Sequence, residues 1–151
     1  MDFGSWDNSI GASTNTTQWG DGSQMYNRHD LIDDELLFGV KVYLSSGPTS
    51  NNPSTVAGGI LELSVYDSSA YGGNTSGWDA NKLVGYGQKV IDAQDVSQGF
   101  VRFDLTDATS GRGIDLDVSK GAYMYNLTMY DNQGANPLYV RNDQTLSLIH
   151  I

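Results

Sequence analysis

Two histidines and no cysteine leave this 151-residue chain few routes to covalent or metal chemistry. Thiolate metal sites, disulfides and cysteine nucleophiles are excluded. A serine triad would have to use His29, which lies beside Asp30 in Tyr-Asn-Arg-His-Asp-Leu. No Gly-x-Ser-x-Gly elbow accompanies it, and no serine is marked as a nucleophile. His29 therefore reads as a surface histidine at a strand end.

Paired carboxylates are the next chemistry to weigh. Glycoside hydrolysis needs two carboxyl groups about 5–10 Å apart across a sugar. Asp33, Asp34, Glu35 and Glu62 are the residues that would supply them, Glu35 and Glu62 being the only glutamates. The acidic run 30–35 reads better as a turn entering a strand, and Glu62 as a solvated carboxylate on a polar face. The chain is expected to be noncatalytic, with a fragment of a secreted hydrolase as an alternative reading.

Acidic loops also suit calcium, which takes hard oxygen ligands. Asp104, Asp107, Asp115 and Asp117 surround a glycine-containing loop, and Asp104 would meet Asp115 if strands at 100–105 and 113–118 paired. Asp131 and Asn132 offer a second oxygen-rich turn. None of these follows the EF-hand spacing, and aspartates that cap turns are the simpler reading. A structural calcium is the one cofactor expected.

The aromatic residues number 16, nine of them tyrosines. Tyr43, Tyr66 and Tyr130 fall on faces read as outward, and Trp78 lies in a glycine-rich loop. Tyrosine offers a flat apolar ring with a polar tip, which suits stacking against sugars. Asn126 and Thr128 share the parity of Tyr130, and Glu62 and Ser64 flank Tyr66, so polar partners are at hand. The expected ligand is a neutral glycan or another cell-surface ligand. The competing reading is cross-strand tyrosine packing on a half-exposed sheet, as in a structural spacer. Asn-x-Ser/Thr sequons occur at Asn15, Asn74 and Asn126.

A formal charge of −10 argues against nucleic acid and anionic membrane surfaces as partners. No apolar run approaches the roughly 20 residues of a membrane helix, so membrane insertion is not expected. The opening residues show no basic and apolar leader. If the parent protein is exported, the signal is expected upstream.

The elements that must position these residues follow a period of two. Leu36, Phe38, Val40, Val42 and Leu44 alternate with more polar neighbours; so do Leu61, Leu63 and Val65, then Val101, Phe103 and Leu105, then Tyr123, Tyr125, Leu127 and Met129. One apolar face per strand predicts antiparallel sheets buried on one side. Weaker strands are read at 23–29, 82–90, 113–118 and 137–141, and stretches rich in Gly, Asn, Asp and Ser separate them. About eight strands without a helix predict an all-β, two-sheet sandwich, of which the jelly roll is one form.

Three segments are expected: a polar arm over 1–22, the sandwich over 23–145, and a tail over 146–151. The tail, Leu-Ser-Leu-Ile-His-Ile, alternates like a short strand. It is also the translation of CTG-TCT-CTT-ATA-CAC-ATC, which resembles a transposon end used in sequencing libraries. The tail is therefore expected to be adapter-derived and the domain to be a metagenomic fragment cut at its C-terminus.

The strands Gly-Val-x-Val-Tyr-Leu (39–44) and Leu-x-Val-Tyr-Asp (63–67), with Phe-Val-Arg-Phe-Asp-Leu (100–105) and the hairpin-like 118–140, carry a resemblance. Together they resemble β-sandwich modules of secreted Bacteroidota proteins exported by the type IX system. The resemblance covers residues 23 to 145. It implies a secreted or cell-surface module that works beside other domains of its parent chain.

Overall fold

The computed structural model describes residues 21–49, 52–70, 79–106, 110–140 and 146–150. Ten strands lie within them: β1 (Ser23–Asp30), β2 (Glu35–Tyr43), β3 (Ser46–Thr49), β4 (Asn52–Ser54), β5 (Ile60–Asp67), β6 (Leu83–Val90), β7 (Phe100–Asp104), β8 (Ile114–Leu116), β9 (Ala122–Tyr130) and β10 (Leu146–His150). One antiparallel sheet has the order β1-β9-β5-β6. The second has the order β10-β2-β7, with β8 also paired to β2. The chain is an all-β, two-sheet sandwich, as its period-two pattern predicts. Residues 1–20 of the expected arm, with Asn15, and the stretch 71–78, with Asn74 and Trp78, fall outside the described residues.

Alternation decides which side chains meet between the sheets. Leu61, Leu63 and Val65 of β5, and Val101 and Phe103 of β7 with Leu105 just beyond it, are all buried, as expected. Tyr123, Tyr125, Leu127 and Met129 of β9 join the same core. Each such aliphatic side chain contributes about 1.5–3 kcal/mol of apolar burial.

The expected parity fails in the first half of β2. Leu36 and Phe38 are only half-buried, whereas Leu37 is fully buried. From Val40 onward the expected alternation holds, with Val42 and Leu44 inward. The register explains the switch. Gly39 faces Ile149 and Leu37 faces His150, so β2 advances two residues where β10 advances one. This extra residue is a bulge, and a bulge inverts every side chain beyond it. It coincides with the point where β7 ends opposite Gly39 and β8 begins opposite Leu37.

On β6 two inward positions, 85 and 87, are glycines, and Lys89 takes the next. A Cβ on Gly87 would lie 2.9 Å from Phe103 Cδ1, and one on Gly85 would lie 2.5 Å from Ile114 Cδ1. Phe103 and Ile114 belong to the opposite sheet, so these glycines let the two sheets close at this edge. The outward residues of the same strand, Tyr86, Gln88 and Val90, are exposed.

Two stretches read as turns carry short regular structure. Residues 46–54 form the hairpin β3–β4. Residues 93–98 form a helix, α1, with a reciprocal capping box between Asp92 and Asp95 and Gly99 in the left-handed conformation after it. Of the segment read as a strand at 137–141, the described residues 137–140 contribute a single bridge, Val140 to Leu44. Among the described residues no helix is long and apolar enough to cross a membrane.

Candidate functional site

The outer face of the four-stranded sheet gathers most of the residues singled out for ligand binding. Registers place Tyr26 opposite Asn126, Asn126 opposite Ser64, and Ser64 opposite Tyr86, in one row across all four strands. The next row runs Gln24, Thr128, Glu62 and Gln88. Tyr130 lies opposite Ile60 on one flank, and Tyr66 opposite Met124 on the other. With strands about 4.8 Å apart, each row spans about 14 Å.

Glu62 is the polar hub of this face. Its Oε1 accepts the Tyr86 hydroxyl at 3.2 Å and the Gln88 amide at 2.7 Å. Its Oε2 accepts the Tyr130 hydroxyl at 3.3 Å. Burial and then Glu62 push the phenols of Tyr86 and Tyr130 above the ordinary tyrosine range. Both phenols therefore remain protonated donors throughout neutral pH. Glu62 is thus organised by its neighbours and is not the simply solvated carboxylate that the alternation suggests.

Asn126 and Thr128 share this face with Tyr130, yet they are 3% and 7% exposed. Both lie on β9, a central strand with a neighbour on each side. The Oδ1 of Asn126 has no hydrogen-bond partner. A buried acceptor without a donor costs about 1–3 kcal/mol, and its burial closes this atom to solvent. Tyr26 and Tyr86, at the two ends of the same row, are 46% and 52% exposed.

Tyr43 does not belong to this platform. It lies on β2, in the other sheet, edge-on to Phe100 at 6.3 Å between ring centroids. Lys41 Nζ lies 3.8 Å from the Phe100 centroid and 4.8 Å from that of Tyr43. Alternation tells which way a residue points from its strand; it does not tell which sheet the strand joins.

Of the aspartates considered for calcium, Asp107 lies outside the described residues. The pairing that would bring Asp104 to Asp115 does not form. β7 and β8 line up one after the other along β2, so Asp104 faces Gly39 and Asp115 faces Leu36. Each carboxylate serves its own neighbourhood. Asp104 accepts from the backbone and hydroxyl of Thr106, which hold its pKa below the usual range. Asp115 pairs with Arg112 at 2.6 Å. Asp117 caps the turn Val118–Lys120 through Ser119, with its pKa likewise lowered by Ser119. Among the described residues no three His, Asp or Glu side chains converge.

Of the residues weighed for catalysis only His29 and Glu35 meet, while Asp34 and Glu62 are engaged elsewhere. His29 is on the inner side of β1 and half-buried; its Nε2 lies 2.9 Å from Glu35 Oε2, and its ring meets Tyr125 edge-on at 6.2 Å. Asp34 accepts the backbone N–H of Val118. Glu62 is on the opposite side of the four-stranded sheet from His29. No family model, curated protein or solved structure matches this chain.

Tyr26, Tyr86 and Gln88 complete the platform without having been singled out from the sequence. The signal for Tyr86 was present in Gly-Tyr-Gly-Gln (85–88), where glycines alternate with polar and aromatic residues. A cleft of about 380 Å³ continues from Tyr86 around the β6 edge, lined also by Val84, Asp104, Thr106, Arg112 and Ile114.

Proposed function

We propose that this chain is a noncatalytic β-sandwich module that binds a glycan along the outer face of its four-stranded sheet. The observation that carries the reading is the row Tyr26–Asn126–Ser64–Tyr86 beside the hydrogen-bonded Glu62. Tyrosine rings offer surfaces for pyranose stacking, and Asn126, Gln88 and Glu62 offer directional polar contacts. A shallow open face of this kind supports a Kd on the order of 10 µM to 1 mM. The resemblance to secreted Bacteroidota modules suggests that the parent protein works outside the cell or at its surface.

The competing reading is a spacer domain whose tyrosines merely pack across strands. The burial of Asn126 and Thr128 favours it, because buried polar groups contact a ligand less freely. Calorimetric titration with soluble oligosaccharides, for the native chain and for Tyr86→Ala, separates the two. Binding that weakens at least fivefold in the variant supports the module; no binding across a broad panel supports the spacer.

A further inference from the structure

The carboxylate at the centre of the platform has only neutral partners. Tyr86, Gln88 and Tyr130 supply its hydrogen bonds. Among the described residues no lysine or arginine forms an ion pair with Glu62. Arg28, which shares the outward parity of Tyr26 on β1, is paired with Asp30 at 2.7 Å. A carboxylate accepts up to about four hydrogen bonds, and three are filled here, so one acceptor position is left. Asn126 Oδ1 adds a second acceptor, buried and without a donor. The burial of Asn126 closes that atom off, so Glu62 alone offers a ligand an open acceptor, and its charge favours a cation.

The surroundings reinforce that demand. Tyr86 and Tyr130 meet Glu62 through their hydroxyl tips, so two phenol oxygens lie beside any cation placed at the carboxylate. The chain carries a net charge of −10, which raises the local concentration of cations and repels acidic polymers.

We infer that the glycan bound at this face carries free amines: a chain of amino sugars, with an ammonium group placed at Glu62 between Tyr86 and Tyr130. This inference rests on the glycan-binding reading above and adds the charge of the ligand to it.

The test uses three soluble hexamers at pH 5.5: glucosamine, N-acetylglucosamine and galacturonic acid. The glucosamine hexamer should bind at least tenfold more tightly than the N-acetylated one, and the galacturonate hexamer should not bind measurably. Glu62→Gln, which keeps the shape of the side chain, should bring the two amino-sugar affinities within threefold of one another. Asp33→Asn removes the same unit of charge from an exposed turn away from the platform and should leave the preference intact. Equal affinity of the native chain for the charged and the N-acetylated hexamer overturns the amine inference while leaving glycan binding in place. A preference lost equally in Asp33→Asn and Glu62→Gln overturns it too, since the charge of the whole chain would then be the cause. Binding of none of the three overturns this inference; silence across the broader panel overturns the glycan-binding reading as well. The comparison within the native chain does not depend on how the variants fold.

Discussion

Tyr130 on β9 donates its hydroxyl to Glu62 Oε2 on the neighbouring strand at 3.3 Å. Tyr86 reaches the other carboxylate oxygen from β6, so one side chain on β5 joins three strands on their outer face. These bonds lie at the solvent edge, where a hydrogen bond contributes little net stability. Tyr130→Phe should therefore cost less than about 1 kcal/mol in a urea melt. A loss above about 2 kcal/mol would mean that the network holds the sheet together and is not primarily arranged for a ligand.

The bulge in β2 makes a sharper prediction about stability. Leu37 is fully buried, whereas its neighbour Leu36 is only half-buried. Leu37→Ala should cost about 3 kcal/mol, within the range for a buried leucine, and Leu36→Ala less than half of that. The reverse order would restore the uninterrupted alternation across residues 36–44.

The sequence made the inner faces of β5, β7 and β9 legible because their apolar residues alternate without interruption. It could not reveal the bulge, since Leu36, Leu37 and Phe38 are all apolar and support either parity. The site was half legible for a related reason. Tyr66, Tyr130, Asn126 and Thr128 share a face because three of them sit on one strand and the fourth on its neighbour. Tyr43 looks equivalent in pattern, but its strand belongs to the other sheet. Tyr86 escaped notice because the inward positions on either side of it, 85 and 87, are glycines, which erase the apolar half of the alternation. Only the contacts of Gly85 and Gly87 with Ile114 and Phe103 explain why glycine belongs there. The helix α1 was missed although Asp92, Asp95 and Gly99 carry both of its caps.

Inside the sandwich, Asn27 and Tyr125 face each other across β1 and β9. Both are buried, and the Nδ2 of Asn27 and the hydroxyl of Tyr125 have no hydrogen-bond partner. Burial, with Glu35 nearby, pushes the Tyr125 phenol well above its ordinary range. Tyr125→Phe removes an unsatisfied polar atom and keeps the ring. Its stability in a thermal melt should match or exceed that of the native chain, by up to about 1 kcal/mol. A loss above about 2 kcal/mol would show that the hydroxyl is engaged in a bond that matters.

Strand β10 pairs with β2 over Leu146–His150. The adapter-derived reading of 146–151 predicts that removing these residues costs less than about 2 kcal/mol of stability. A larger cost in a urea melt would mark β10 as an integral strand of the second sheet.

The outer face of the four-stranded sheet is the proposed binding surface. It is tested most directly by following tyrosine ring resonances by NMR during titration with the glucosamine hexamer. The account predicts that Tyr26, Tyr66, Tyr86 and Tyr130 shift together along one saturation curve. Tyr43, on the other sheet, and Tyr125, in the core, should stay fixed. Shifts confined to Tyr43, or no shift in any of the four platform tyrosines at millimolar ligand, would contradict it.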